Sequence, residues 1–183
     1  MNRRSLLYCA SCVGAMLALS GCGKSEPAQP VPAPAGSVAA APRPAADVQA
    51  MLVVATELAA AQPVTRSCYL DMVNGKRDKS GFDVRRGESN QIVGWVVDKH
   101  KAAPAKFTLI LKADQSYALQ GRTGGVRPDV AKAVGSAAAG KAGFAVGTTL
   151  ADVKPGSYEA MALVKSPDGD VLCDLHRSIR VAE

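Results

Sequence analysis

Aromatic residues make up only 4% of this 183-residue chain, with one tryptophan, and histidine occurs twice. A core must therefore be built from Val, Leu and Ile, and histidine-rich metal centres are excluded. Ligand-spaced clusters of His, Cys and carboxylate are missing, and the acidic turn Asp168-Gly169-Asp170 lacks the other ligands of a calcium loop. Gly124-Gly125 is followed by no Lys-Ser pair, so it reads as a tight turn and not as a phosphate cradle. No metal or cofactor is expected. The formal charge of +6 comes from bases scattered among acids; this excludes a nucleic-acid footprint but leaves a polyanionic glycan or lipid headgroup attractive. The longest uncharged apolar stretch, Leu6 to Leu19, falls short of the ~20 residues that span hydrocarbon as a helix.

That stretch follows Met1-Asn2-Arg3-Arg4 and has the form of a signal-peptide leader over 1–21, of the Sec type rather than twin-arginine. It ends in Leu19-Ser20-Gly21-Cys22, which resembles the lipobox of bacterial lipoproteins. The resemblance implies a diacylglycerol on the Cys22 thiol, cleavage before it and acylation of the new amine, an anchor of several chains that holds firmly. Gly23 in place of aspartate points to the outer membrane of a two-membrane envelope. Loss of Arg3 and Arg4 lowers the charge to +4. Of the five cysteines, Cys9 and Cys12 leave with the leader. The remaining pair, Cys68 and Cys173, reads as one disulfide in an exported protein, closing a loop of about 105 residues worth ~4 kcal/mol. The alternative is two buried thiols.

Residues 22–46 are Pro, Ala and small polar residues, including Pro30-Val31-Pro32-Ala33-Pro34. Such a tether cannot offset its ordering entropy by burial and extends as polyproline II, reaching up to ~70 Å. From Asp47 to Gln62 the spacing of Val48, Met51, Leu52, Ala55, Leu58 and Ala59 predicts an amphipathic helix with Asp47 as N-cap and Pro63 as stop, resting on its own domain or on a partner.

Beyond Val64 short apolar runs alternate with turn signals. Strands are expected at Ser67 to Val73, Gly81 to Arg85, Gln91 to Asp98, Lys106 to Ala113, Tyr117 to Arg122, Gly143 to Leu150, Ser157 to Lys165 and Val171 to Val181, the last two joined as a hairpin at Asp168-Gly169. Phe107, Leu109 and Leu111 alternate with Thr108, Ile110 and Lys112, as in a half-buried strand. Arg127 to Val134 is helix-like, with Pro128 in its first turn, and Gly135 to Gly143 reads as a mobile small-residue loop. The fold class is mainly β, an antiparallel β-sandwich over 64–183 with one short helical insertion.

The series Asp71-Met72-Val73-Asn74-Gly75, Gly94-Trp95, Arg127-Pro128-Asp129-Val130, Gly143-Phe144 and Pro155-Gly156-Ser157-Tyr158 is similar to an Ig-like β-sandwich module of bacterial envelope proteins, also appended to some glycosyltransferases. The resemblance covers about Ser67 to Val181 and implies an accessory or binding domain. Trp95 is then expected against the Cys68–Cys173 bridge, the alternative being an exposed sugar-stacking platform. Arg127 and Asp129 form either a loop-fixing ion pair or a polar binding surface.

For chemistry, Asp174 and His176 alternate along one strand and could share a face, but no nucleophile stands recognisably with them. The leading expectation is a non-enzymatic envelope lipoprotein that binds or scaffolds an envelope protein or surface glycan. The alternatives are a small hydrolase or transferase using Asp174 and His176, and a lysozyme-inhibitor lipoprotein, which the basic balance disfavours because lysozymes are usually basic.

Overall fold

Among the described residues ten strands, the clearest of them alternating buried and exposed positions, pair into a single curled sheet that is mainly antiparallel. The computed structural model describes residues 48–52, 58, 60–64 and 66–183, all within one of the chain's two compact units, Ala39–Glu183. Cys22, the leader and the tether lie outside the described residues. The strands are β1 (Met51–Leu52), β2 (Gln62–Val64), β3 (Cys68–Val73), β4 (Phe82–Arg85), β5 (Asn90–Val96), β6 (Lys106–Lys112), β7 (Tyr117–Gly125), β8 (Gly143–Thr148), β9 (Gly156–Val164) and β10 (Val171–Ala182). A helix, α1 (Pro128–Val134), and a 3-10 turn, Ala137–Lys141, join β7 to β8.

The ladder runs β2-β10-β9-β6-β7-β8-β5-β3. β7 belongs to both halves: Tyr117 to Arg122 pair with β6, while Thr123 and Gly125 pair with β8 across a bulge. Gly124-Gly125 is thus extended strand and not a tight turn. The sheet curls about β7 until β3 lies against β10, and a Cys68–Cys173 disulfide joins them, with Cα atoms 6.1 Å apart. Both cysteines are 1% exposed. Two pairings depart from the antiparallel expectation, since β2 and β4 run parallel to opposite halves of β10.

The eight strands expected beyond residue 66 are all present, within a few residues at their ends. The amphipathic helix expected over 47–62 is cut back at both ends. Met51–Leu52 pairs with β7 and Gln62–Val64 with β10. Leu58 and Ala60 keep helical backbone. Leu58 and Ala61 cover Ile110, Leu163 and Leu172 on the outside of β6, β9 and β10, which is why Ile110 is buried despite its outward position. The stretch from Gly135 to Gly143 is packed, not loose: the turn within it buries Ala139, and Ala142 follows.

The main core is set by two glycines and two phenylalanines. Phe107 on β6 stands opposite Gly121 on β7, and Phe144 on β8 stands opposite Gly94 on β5. The two rings meet across the core with centroids 4.6 Å apart. A Cβ on Gly94 would fall 2.7 Å from Cζ of Phe144, and one on Gly121 would overlap the Phe107 ring. Each glycine is the floor on which a ring lies.

Candidate functional site

The bulge in β3 decides where the polar groups outside the sheet meet. Between Leu70 and Met72 the register with β5 slips by one, leaving Asp71 as the extra residue on the outer side. A bulge re-aims a side chain in this way. Here the carboxylate of Asp71 accepts a hydrogen bond of 2.5 Å from Nη1 of Arg127. The guanidinium also holds Asp129, through Nε to Oδ1 at 3.0 Å and Nη2 to Oδ2 at 2.8 Å. Arg127 Cγ packs 3.0 Å from where a Cβ on Gly143 would lie. The side chain therefore crosses β5, from β8 on one side to β3 on the other, and pins the start of α1 onto the sheet. The Arg127 hydrogen bonds hold Asp129 down to about 2. The same partners raise Arg127, against the opposing effect of burial. Arg127 and Asp129 thus form an ion pair, but the more buried partner, Asp71, is a member that residue spacing could not reveal.

Trp95 is not at the disulfide. Strand alternation puts Val96 inward, opposite Cys68, and Trp95 outward, opposite Tyr69. Gly94, required inside by Phe144, fixes that parity. The indole packs with Val97, Val130, Ala139 and Ala142, so α1 and the 3-10 turn form a lid over it. It is half-buried and is no open sugar platform.

Asp174 and His176 lie where β10 is interrupted. Between Asp174 and Ser178 the ladder to β9 breaks, and His176 takes a left-handed backbone conformation with φ 59°. Asp174 Oδ1 accepts the backbone N–H of His176 at 2.7 Å, while the imidazole Nδ1 stands 3.8 Å from Oδ2. The carboxylate serves the backbone of the bulge first. Asp174 and His176 are both exposed with Leu175 buried between them, as alternation predicted, and His176 also lies beside Tyr69, at 6.2 Å between ring centroids. Arg177 stacks on the Tyr69 ring at 4.7 Å, binds its hydroxyl and donates to the His176 carbonyl at 2.6 Å. Its Nε is the one buried side-chain polar atom without a partner among the described residues. The arrangement is a cationic, aromatic corner beside the disulfide. The hydroxyl in this corner, that of Tyr69, is held by Arg177, and no described contact joins a hydroxyl or thiol to the His176 imidazole, which as a general base would take its proton.

The other histidine, His100, joins two loops. Its Nε2 lies 3.2 Å from Asp168 in the β9–β10 turn, which also accepts Lys99. These contacts lower the pKa of Asp168, with His100 first in effect. Asp98 caps the same loop through the backbone N–H groups of His100 and Ala102. Among the described residues, no helix is long and apolar enough to cross a membrane and no group of three potential metal ligands converges. No family model, curated protein or solved structure matches the chain.

Proposed function

We propose that the chain is a lipoprotein of a bacterial envelope, anchored through lipid on Cys22 and delivered to the outer membrane. Its β domain is an Ig-like sandwich that binds or scaffolds an envelope protein or a surface glycan without catalysis. The observation that carries the reading is Leu19-Ser20-Gly21-Cys22 at the end of a basic, apolar leader. The buried Cys68–Cys173 bond supports it, because such bonds persist in oxidising compartments.

For the Ig-like assignment, the support is local. Tyr158, near the start of β9, donates its hydroxyl to the carbonyl of Lys154 at 2.6 Å, four residues upstream. A tyrosine bonded back to a corner in this way is a mark of Ig-like sandwiches, as is a bridge between their two faces. Trp95, on the outside, departs from that pattern.

Growth with an alkyne palmitate analogue tests the anchor. The wild-type chain takes up the label and Cys22→Ser does not; equal labelling of the variant overturns the reading. Pull-down from envelope membranes and glycan-array binding test the second half. Robust turnover of a cell-wall or lipid substrate by the purified protein would contradict a non-catalytic role.

A further inference from the structure

Among the described residues β7 and β8 are joined only where β7 ends and β8 begins, by the pairs Thr123–Phe144 and Gly125–Gly143. From that joint the two strands part. Leu119 to Arg122 run along β6 and Ala145 to Thr148 along β5, and no ladder pair joins these stretches to each other. Each presents a strand edge to the split. The chain's own segment shows that a strand fits there. The Val48 N–H donates to the Gly147 carbonyl at 2.8 Å, Met51 and Leu52 pair with β7, and Val48 and Ala50 pack on the main core. Between Val48 and the joint the split holds a cleft of about 510 Å³, walled by Gln120 to Arg122 on one side and by Ala145 and Val146 on the other.

The charge of this cleft has one sign. Lys106 and Arg122 line it as direct cross-strand partners, both exposed, and no acidic side chain lines it with them. Like charges placed opposite one another cost stability. Two further clefts, of about 530 and 570 Å³, are balanced: one is lined by Lys76, Arg77, Asp78 and Asp83, the other by Lys112 and Asp114. Other strand edges are less open. β3 lies against β10 through the disulfide and the contact of Arg177 with Tyr69. β2 carries Pro63, which has no N–H to give, and β4 borders the balanced cleft beside Asp78.

An open edge offers main-chain hydrogen bonds to an extended peptide, and side chains at alternate positions then set which peptide is held. We propose that the split between β7 and β8 takes an extended acidic segment of a partner protein as an added strand. The backbone of the segment pairs with Gln120 to Arg122 and with Ala145 and Val146, and its carboxylates meet Lys106 and Arg122. Charge-assisted bonds to both cations offset the repulsion between them. The proposal rests on the binding-module reading of the domain and narrows its partner, from protein or glycan, to a polypeptide strand.

The test uses the full chain in detergent and a synthetic peptide of alternating valine and threonine with an aspartate at each end. Amide hydrogen exchange, read by mass spectrometry, should slow in the segments spanning Leu119 to Arg122 and Ala145 to Gly147, and stay unchanged around Asp78 and Asp83. Affinity should fall about ten-fold or more when lysine replaces the aspartates, when alternate peptide nitrogens are methylated, or when the protein carries Lys106→Gln with Arg122→Gln. That variant should melt no lower than the wild type, since it relieves like-charge repulsion at exposed positions. No slowing, or equal affinity for the methylated or the lysine-bearing peptide, would overturn the proposal. So would binding that appears only after Asp47→Asn, which would give the cleft to residues upstream of Val48 in the same chain. If a sulfated glycan binds the full chain and the peptide does not, the strand site falls and the binding module stands. If neither binds and the protein turns over a cell-wall substrate, both fall.

Discussion

A methyl group is the finest probe of this core. Gly121→Ala must push the Phe107 ring off its site, whereas Gly94→Ala meets both the Phe144 ring and the backbone carbonyl of Tyr69, so the strand itself must bend. Overpacking of this kind costs about 1–3 kcal/mol. Urea unfolding should show either variant destabilised by that amount, and an unchanged midpoint would mean that the Phe107–Phe144 pair relaxes freely. The Arg127 frame makes a graded prediction. Asp71→Asn breaks the less exposed arm and should cost more than Asp129→Asn, whose carboxylate is largely solvated and worth less than about 1 kcal/mol. The acid limb carries a signature of the exposed arm. Asp129 is held at about 2, below its unfolded value of 3.8, so its contribution is complete above that value and disappears as pH falls toward 2. The wild type should therefore lose stability over that interval more steeply than Asp129→Asn, as followed by thermal melts across pH.

Among the elements, the corner before β9 has the clearest energetic test. Tyr158→Phe keeps the ring against Tyr117, at 5.8 Å and edge-on, and deletes the hydroxyl with its bond to Lys154 and its interaction with the Tyr117 side chain. A loss of about 1 kcal/mol is expected in denaturant titration. Burial, then Tyr117, raises the pKa of the Tyr158 hydroxyl above its ordinary 10.0. The folded state then holds this proton more tightly than the unfolded chain. Its share of stability is present below pH 10 and declines as pH climbs toward the raised value, a decline that Tyr158→Phe should lack.

The strands beyond residue 66 could be read from the sequence because each pairs a period-two apolar run with a strong turn signal, as at Asn74-Gly75 and Asp168-Gly169. What could not be read was set by partners far along the chain. Met51 and Leu52 fit a helical stripe as well as a strand, and only the edge of β7 decides between them. The face taken by Trp95 follows from the demand of Phe144 for a glycine at position 94. The bulge that aims Asp71 at Arg127 and the break in β10 beside His176 add no residue type that alternation would flag. The fold was therefore more accessible than the site.

For the whole molecule, the 105-residue separation of Cys68 and Cys173 makes their bond the main constraint on the unfolded chain. Cys68→Ala with Cys173→Ala should lower stability by about 4 kcal/mol, measured against the oxidised protein in guanidinium. Because both sulfurs are buried, reductant should act on the native protein only as fast as the domain opens, a rate that thiol labelling can follow.

The position of that bond also settles how the domain bears load. If tension enters through residue 48, the first joint to yield is the two-residue pairing of β1, followed by the short β2, each unzipped strand by strand. Roughly 65 Å of chain can be paid out in this way before Cys68 is reached. There the pull passes through sulfur to β10, and everything between Cys68 and Cys173 is shielded from extension. The stretch from Val48 to Ser67 is then a shock absorber with a covalent stop, and single-molecule pulling should record one short, low-force extension followed by a stiff plateau that reductant removes.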